Sequence, residues 1–287
     1  MFGKIFLEIT SHCNLSCSFC PPTRRPRSQL SPELFDRLLA RLEGQGKKLY
    51  FHLKGEPLIH PSLGRFLETA GQHGFSVSLT TNGTLVQERA DELLAATNLE
   101  KLSISLHSHV GEAGLEAYWA RVSAFLDRHR AAPRFPVSLR LWSRGSGGLP
   151  PETERLWTLV RERYPAAGGW EDSSTSYKSR EMDRLVYLNQ ADRFEWPDPE
   201  LPQDGPRGFC RGLGNQVGVL ADGTVVPCCM DGEGRIALGN LATSSLEEIL
   251  ASPRARAIRA GFARRELVEP LCRTCGYRRR FDRRGLA

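Results

Sequence analysis

The chain has 287 residues, of which 40% are hydrophobic and 25% are charged, so it can bury one large core and a small appended region. No apolar run approaches the roughly 18 residues of a membrane helix, and eight cysteines are too few for a disulfide scaffold of this length. The net charge of +6 conceals an uneven distribution, because residues 251–287 carry +8 and the remainder carries −2.

Strand and helix patterns alternate along the first half of the chain. Residues 4–10 predict a first strand, and Ser31 followed by Pro32 predicts a helix start, because serine is a good N-cap and proline fits the first helical position. Residues 48–53 predict a second strand. Three further helix and strand pairs follow, with helices near 61–71, 88–96 and 116–129 and strands near 75–80, 101–106 and 137–142. This alternation predicts an α/β fold with a parallel sheet, open or closed into a barrel, whose active site lies at the carboxyl ends of the strands.

Three cysteines follow the first predicted strand. Cys13, Cys17 and Cys20 can hold one [4Fe–4S] cluster from a single loop and leave its fourth iron without a protein ligand. Zinc is an alternative, with His12 as a possible fourth ligand. Disulfides are disfavoured, because the N-terminal residues lack the apolar core and cleavage site of a signal peptide. We therefore expect a cytoplasmic protein with reduced, metal-binding thiols.

The spacing CxxxCxxC, with the aromatic Phe19 before its last cysteine, resembles the hallmark of the radical S-adenosylmethionine superfamily. The resemblance implies a partial (β/α)6 barrel. It also implies that the open iron binds the amine and carboxylate of S-adenosylmethionine, and that an electron from a flavodoxin- or ferredoxin-type donor cleaves this cofactor. The product, a 5′-deoxyadenosyl radical, would abstract hydrogen from a substrate.

The same resemblance assigns cofactor contacts to residues near the ends of the predicted strands. Gly55, Glu56 and Pro57 match the family's GlyGlyGluPro motif, with Lys54 in place of its first glycine. The other expected contacts are Thr80, Asn82, Ser105 and Arg140. Asn82 with Gly83 could instead form a simple turn. His107 is equally consistent with a substrate contact and with an ordinary histidine, whereas Arg140 on a buried strand needs an anionic partner.

A second cysteine group follows a proline-rich hinge at residues 196–202. Cys210 and Cys228 bracket a hairpin predicted by Asp222-Gly223, and Cys272 and Cys275 form a CxxC pair. Four thiols could hold zinc or an iron–sulfur cluster. The pattern resembles the twitch form of the SPASM extension, which implies one auxiliary [4Fe–4S] cluster and leaves Cys229 spare. We therefore predict a radical S-adenosylmethionine domain over residues 1–200 and a SPASM/twitch domain over residues 201–287.

A fully ligated second cluster is suited to electron transfer, which predicts an oxidoreductase that removes a hydrogen atom and then an electron from its substrate. Alternatives are a peptide-modifying maturase, an epimerase in which Cys229 returns a hydrogen atom, and an RNA-modifying enzyme that uses the arginine-rich tail. A cysteine in this position is more often a packing residue beside the site. The substrate, a small molecule or a peptide, is not identified. Its expected contacts lie within residues 143–209 and include Trp170, Asp172, Tyr177, Lys178 and Arg180.

Overall fold

A computed structural model describes residues 1–109, 114–144, 151–165, 177–192 and 194–282. The strands are β1 (Lys4–Leu7), β2 (Lys48–Phe51), β3 (Ser76–Thr81), β4 (Leu99–Ser105), β5 (Val137–Arg144), β6 (Tyr177–Asp183), β7 (Val186–Asp192), β8 (Gln216–Val219), β9 (Thr224–Val226) and β10 (Gly239–Asn240). The α-helices are α1 (Pro32–Leu42), α2 (Leu63–Gln72), α3 (Ala90–Ala95), α4 (Leu115–Ala131), α5 (Pro151–Arg163), α6 (Leu246–Leu250), α7 (Pro253–Ala263), α8 (Pro270–Arg273) and α9 (Arg279–Asp282). Among the described helices, none is long and apolar enough to cross a membrane.

Close contacts group the chain into two compact units. The first unit comprises residues 1–77 and 194–287, and the second comprises residues 78–193. Both groups of cysteines therefore belong to the first unit. The predicted domain division at residue 200 separates the two cysteine motifs along the chain, and it stays a prediction.

The first unit contains the strand order β10-β9-β8-β1-β2. Strand β1 is parallel to β2 on one side and parallel to β8 on the other. The predicted hairpin is present, since β8 and β9 are antiparallel and Gly223 turns between them at a φ of +88°. The long-range pairing of β8 with β1 had no local sequence signal.

The two faces of β1 and β2 differ in character. Ile5, Leu7, Leu49 and Phe51 are fully buried on one face. Helix α1 covers this face, with the ring of its Phe35 5.9 Å from that of Phe51. Helix α1 begins as predicted, because the Ser31 hydroxyl accepts the Leu34 N–H at 3.2 Å. The opposite face carries the rings of Phe6, Tyr50 and His52, which contact one another, and the buried carboxylate of Glu8.

The second unit contains the strand order β3-β4-β5-β7-β6. Strands β4, β5 and β7 are parallel neighbours, and β6 pairs antiparallel with β7. Sequence reasoning missed β6 and β7. Their connecting turn places Leu185 at a φ of +58°, where glycine or asparagine is the usual signal of a tight turn. The α/β class and the parallel strands predicted from the sequence are confirmed.

Several predicted boundaries differ from the structure. Strand β1 ends at Leu7 rather than at residue 10, because the chain turns there into a bridge between Thr10 and Gln29 that closes the cysteine loop. Strand β5 continues two residues beyond the predicted end at residue 142. Tyr177, Lys178 and Arg180, for which no strand was predicted, lie in strand β6.

Candidate metal centres and cofactor site

The loop that carries Cys13, Cys17 and Cys20 is closed at its base by backbone hydrogen bonds. Ser11 N–H donates to the Ser28 carbonyl at 2.9 Å, and Leu30 N–H donates to the Ile9 carbonyl at 2.9 Å. Within the loop, Cys20 N–H donates to the Cys17 carbonyl at 3.0 Å. All three thiols are half-buried, as is Phe19. The loop can thus present three sulfurs to a metal centre that stays accessible to a further ligand.

A buried ion pair holds this loop from behind. The Arg25 guanidinium contacts both carboxylate oxygens of Glu8, at 2.9 and 3.0 Å, and also donates to the Gly232 carbonyl at 2.8 Å. The Glu8 side chain is fully buried, and that of Arg25 is 13% exposed. Burial raises the pKa of Glu8, and Arg25 opposes this shift. The ion pair therefore compensates a charge whose desolvation is costly.

Lys54, which replaces the first glycine of the expected motif, is buried beside the same loop. Its ammonium donates to the Pro21 carbonyl at 2.6 Å and lies 4.6 Å from the centre of the Trp196 ring. Burial lowers the pKa of Lys54, and negative charge nearby, chiefly that of Cys20, opposes the shift. A lysine stem fits here because Gly232 has no side chain; a Cβ at that position would lie 2.8 Å from Lys54 Cγ. Sequence reasoning had treated this lysine as a tolerated exchange.

Gly55, Glu56 and Pro57 lie directly beneath the cysteine loop. Gly55 has a φ of +72°, and a Cβ there would lie 2.2 Å from the Thr10 carbonyl oxygen, so the position requires glycine. Glu56 N–H donates to the His12 carbonyl at 2.7 Å, and one Glu56 carboxylate oxygen accepts the Leu58 N–H at 3.0 Å. This second bond caps the 3-10 turn Pro57–Ile59 and fixes the orientation of the buried carboxylate.

The second cysteine group lines one pocket. The pocket is lined by Cys210, Cys228, Cys272 and Cys275, together with Pro197, Met230, Asp231, Ile236, Leu271 and Arg278. Nowhere in the described part of the chain do three His, Cys, Asp or Glu side chains converge on one metal position. Four thiols around one space provide the ligand set of a [4Fe–4S] cluster, and equally that of a structural zinc ion.

The chemistry of these thiols also fits a metal centre. Burial raises the pKa of Cys210 to about 11, and it raises the pKa values of Cys228, Cys272 and Cys275 as well. Metal binding would have to displace these protons, because the thiolate is the ligand. Gly212 N–H already points at Cys210 Sγ, 3.5 Å away, which is the kind of hydrogen bond that stabilises a cluster-bound sulfur.

Cys229 has different surroundings from its neighbour Cys228. It packs against an apolar cluster of buried residues, which are Phe6, Leu53, Leu220 and Val226. Burial raises the pKa of the Cys229 thiol to about 12. Its environment is therefore that of a small apolar side chain.

In the second unit, the expected contacts at the end of β3 include a tight turn. The Asn82 side-chain oxygen accepts the Thr84 N–H at 2.9 Å, and the Thr81 hydroxyl accepts the Gly83 N–H at 2.9 Å. Gly83 has a φ of +83°. The turn that the sequence left open as an alternative is therefore present, and Thr80, half-buried, lies on the strand that leads into it.

Polar and aromatic side chains gather where β4 and β5 run side by side. Ser105 and Arg140 are partners in the parallel register. The Arg140 guanidinium lies 5.0 Å from the centre of the Trp142 ring, which stacks parallel to the His107 ring at a centroid distance of 6.1 Å. His107 Nδ1 lies 3.1 Å from the Arg140 carbonyl oxygen. His107 follows β4 in a 3-10 turn, Leu106–His109, so it is part of this group rather than a remote histidine.

The remaining expected contacts divide between described and undescribed residues. Trp170 and Asp172 lie outside the described residues. On strand β6, Tyr177, Lys178 and Arg180 pair with Ala191, Gln190 and Leu188. These three residues therefore lie on β6, the edge strand of the sheet.

Comparison with known proteins gives two family matches. The radical SAM superfamily matches residues 7–130, and an iron–sulfur cluster-binding domain, SPASM, matches residues 210–276. The GTP 3′,8-cyclase of Chlorobaculum tepidum is 33% identical over 150 residues, which are 48% of this chain and 45% of that protein. The S-adenosyl-L-methionine-dependent 2-deoxy-scyllo-inosamine dehydrogenase of Niallia circulans is 25% identical over 115 residues, 38% of this chain and 46% of that protein. The matches thus span less than half of these relatives' own length.

Two solved structures share the fold over most of the chain. BtrN in complex with AdoMet and 2-DOIA matches with a TM-score of 0.60 and 17% identity, covering 96% of this chain and 93% of that chain. A histidine-tagged anSMEcpe with bound AdoMet matches with a TM-score of 0.60 and 14% identity, covering 97% of this chain and 86% of that chain. At these identities the likeness concerns the fold, and it confirms the predicted partial barrel with a cysteine-rich C-terminal part.

The two family matches cover both cysteine groups, and each group has the donor set that its family requires. The cofactors are therefore S-adenosylmethionine and iron–sulfur clusters, as predicted from the sequence. The resemblance to radical SAM enzymes with a C-terminal SPASM domain is therefore confirmed by a family match in each part, over residues 7–130 and residues 210–276.

Proposed function

We propose that this protein is a radical S-adenosylmethionine oxidoreductase that removes a hydrogen atom and one electron from a small molecule or a peptide. In this proposal Cys13, Cys17 and Cys20 hold the cluster that, when bound, supplies the electron that cleaves S-adenosylmethionine to a 5′-deoxyadenosyl radical. Cys210, Cys228, Cys272 and Cys275 hold a second cluster that serves as electron acceptor. The observation that carries the proposal is the buried four-thiol pocket in the same compact unit as the open three-thiol loop.

The chain's own residues would bind and orient the cofactor. Gly55 and Glu56 are hydrogen-bonded or packed against the base of the cysteine loop, which suits them to receive the cofactor's methionine amine. Pro57 begins the turn that the Glu56 carboxylate caps, so the carboxylate is held in one orientation. Phe19, in the loop itself, would cover the bound cofactor.

On the strands of the second unit, Thr80, Asn82 and Ser105 would offer hydrogen bonds to the ribose or the carboxylate of the cofactor. Arg140 is the residue best suited to an anion, because its guanidinium is permanently charged and half-buried on a strand. Trp142 and His107 beside it offer flat apolar surfaces with polar edges, which suits them to contact substrate.

The domain and location predictions follow the same chemistry. Residues 1–200 would carry out cofactor cleavage, and residues 201–287 would hold the second cluster. Seven ligating thiols must stay reduced, which supports a cytoplasmic location and delivery of electrons by a flavodoxin- or ferredoxin-type protein.

A peptide substrate is the second candidate. The native anSMEcpe structure with bound AdoMet and Cp18Cys peptide matches this fold with a TM-score of 0.57, covering 96% of this chain and 89% of that chain. A small-molecule substrate draws its support from the BtrN complex with AdoMet and 2-DOIA, which matches over a comparable share of the chain. Structural neighbours of this fold bind a small molecule in one case and a peptide in the other, so an experiment is needed to identify the substrate.

Two other hypotheses receive less support from the structure. The epimerase hypothesis needs Cys229 to face substrate, whereas this thiol packs against apolar residues. The RNA hypothesis needs free arginines in the tail, but several of them form ion pairs with acidic neighbours. These pairs are Arg254 with Glu269, Arg264 with Glu266, and both Arg278 and Arg279 with Asp204.

The proposal is tested by anaerobic reconstitution with iron and sulfide, followed by metal analysis. We expect about eight iron atoms per chain, as two [4Fe–4S] clusters require. Cys228→Ala should reduce this to about four, because one [4Fe–4S] cluster is lost. The matched control, Cys229→Ala, changes the adjacent thiol and should keep both clusters.

Cofactor cleavage provides the second measurement. Reductant should release 5′-deoxyadenosine from S-adenosylmethionine in the parent protein and in Cys229→Ala, and not in Cys17→Ala. A parent protein with four iron atoms, or with zinc in place of the second cluster, would contradict the electron-acceptor role.

A further inference from the structure

Arg278 is a charged side chain buried in the wall of the four-cysteine pocket. Its side chain is 4% exposed and lines the pocket together with the four cysteines. Its Nε donates to the Cys272 carbonyl at 3.0 Å, and one terminal nitrogen donates to the Asp204 carboxylate at 2.8 Å. The guanidinium is thus held in a fixed position beside the sulfur ligands.

The surrounding chain is shaped to admit this guanidinium. A Cβ at Gly208 would lie 2.5 Å from a terminal nitrogen of Arg278, so any larger residue at that position would force the guanidinium away. The position of the guanidinium therefore depends on a glycine at residue 208.

Arg278 shares one of its partners, Asp204, with a neighbouring arginine. Asp204 is 36% exposed, and it is shared with Arg279, whose nearest nitrogen lies 3.2 Å away. One carboxylate, screened by water, therefore faces two guanidinium groups. Asp231 also lines the pocket, and its carboxylate accepts the N–H groups of Arg235 and Ile236 at 2.9 and 2.8 Å.

We propose that Arg278 sets the reduction potential of the cluster in this pocket and makes it a better electron acceptor. This inference rests on the proposed function, which places a cluster there. Reduction adds one negative charge to the centre, and a fixed positive charge in a low-dielectric wall favours the reduced form. The electron would come from the substrate radical, which would lose a proton to solvent in the same oxidation.

The test is a potentiometric titration of the reconstituted protein, followed by electron paramagnetic resonance. The titration is done in a Cys17→Ala variant, which lacks a ligand of the three-cysteine loop, so that the signal comes from the cluster in the four-cysteine pocket. In Arg278→Met, the loss of a fixed positive charge from the pocket wall predicts a shift toward the oxidised form on the order of tenfold, the size that Coulomb's law allows at an effective dielectric constant of about 20. A tenfold shift lowers the midpoint of a one-electron couple by about 59 mV. Arg278→Lys, which keeps the charge, should restore most of the midpoint.

Arg279→Met is the matched control, because it removes a neighbouring arginine that binds the same carboxylate but is 57% exposed. We expect this change to shift the midpoint far less. Asp204→Asn gives a second, independent measurement and should raise the midpoint, because it removes the counter-charge and leaves the arginine. If Arg278→Met loses its iron, the midpoint potential of Asp204→Asn still tests the role of the Arg278 charge.

The possible outcomes test the role of Arg278 separately from the proposed function. An unshifted midpoint in an iron-replete Arg278→Met, or a midpoint in Asp204→Asn that does not rise, overturns the role of Arg278. A Cys17→Ala protein that holds no reducible cluster overturns the proposed function itself.

Discussion

The two cysteine groups of the first unit differ in how they hold their thiols. The loop offers three half-buried sulfurs on a segment closed at its base, whereas the pocket surrounds its contents with four sulfurs and the apolar side chains of Met230, Ile236 and Leu271. The first arrangement leaves room for an exchangeable ligand. The second would supply all four ligands of a cluster, which suits it to electron transfer. In the proposed function, the number of thiols around each cluster therefore separates cofactor binding from electron transfer.

The two regions also differ in what stabilises them. Charged groups hold the loop, through the Glu8–Arg25 ion pair and the Lys54 ammonium. The pocket instead lies beside a β-hairpin and a short helix, with apolar side chains and Arg278 in its wall. The stability of the loop should therefore depend most strongly on the charges of its neighbours and on its backbone conformation.

The largest expected effect comes from Glu8→Gln. This change keeps the shape of the side chain but leaves the Arg25 guanidinium with a buried, uncompensated charge. Breaking one partner of a buried pair costs about 3–5 kcal/mol of the free energy of unfolding, which chemical denaturation would measure.

Arg65→Gln is the control for this prediction, because the Arg65–Asp36 pair has side chains 52% and 43% exposed. Exposed pairs contribute about 0–1 kcal/mol. Equal losses in the two variants would show that burial of the Glu8–Arg25 pair does not matter.

The next effect concerns the glycine beneath the loop. Gly55→Ala and Gly44→Ala place a side chain at nearly the same φ, +72° and +75°, but a Cβ at Gly44 has nothing within 4 Å. Both should lose about 1–2 kcal/mol from the left-handed conformation. Gly55→Ala should lose about 1–3 kcal/mol more, because its Cβ meets the Thr10 carbonyl.

Iron retention distinguishes a local effect from a general one. We expect Gly55→Ala to lose iron from the three-thiol loop while the four-thiol pocket stays filled. Equal stability and equal iron content in the two alanine variants would contradict the close packing beneath the loop.

These regions show what a sequence can and cannot predict. The cysteine spacings, the GlyGluPro segment and the Asp222-Gly223 turn are local patterns, and each has the local structure expected of it. Residues that are distant in the chain determine three other features: the Glu8–Arg25 pair, the burial of Lys54 and the position of the Arg278 side chain. Ionic partners of this kind have no periodicity, so they become visible only when the fold brings the segments together.

The second unit shows the same limit. Strands β6 and β7 were missed because a leucine occupies the left-handed position of their turn. Ser105 and Arg140 were selected as single residues near strand ends, and their register partnership required the sheet. The stack of His107 on Trp142 depends on two strands, and no pattern within either one indicates it.

The smallest effect lies in this second unit and involves pH. His129 is fully buried, its Nε2 donates to the Phe135 carbonyl at 2.8 Å, and burial lowers its pKa below the usual value of 6.5. Between the folded and unfolded pKa values the unfolded chain binds the extra proton. His129 therefore costs no stability above about pH 6.5 and destabilises the fold as the pH falls below it.

Thermal unfolding between pH 5 and 8 checks this prediction. The parent protein should lose about 1 kcal/mol per pH unit from this histidine in the affected window. His129→Gln should flatten that slope while leaving the iron content unchanged. A slope that persists in His129→Gln would assign the pH response to other groups, such as those of the two metal centres.

The parallel pairing of β8 with β1 has a consequence for biosynthesis. Lys4 pairs with Gln216, so during synthesis this edge of β1 waits for more than two hundred residues before its partner exists. Such distant pairing slows folding, and an unpaired strand edge invites association with other chains. A chain cut after residue 200 would keep that edge open permanently. The C-terminal segment thus completes the sheet of the N-terminal one, and nascent chains would depend on it, or on a chaperone, to stay monomeric.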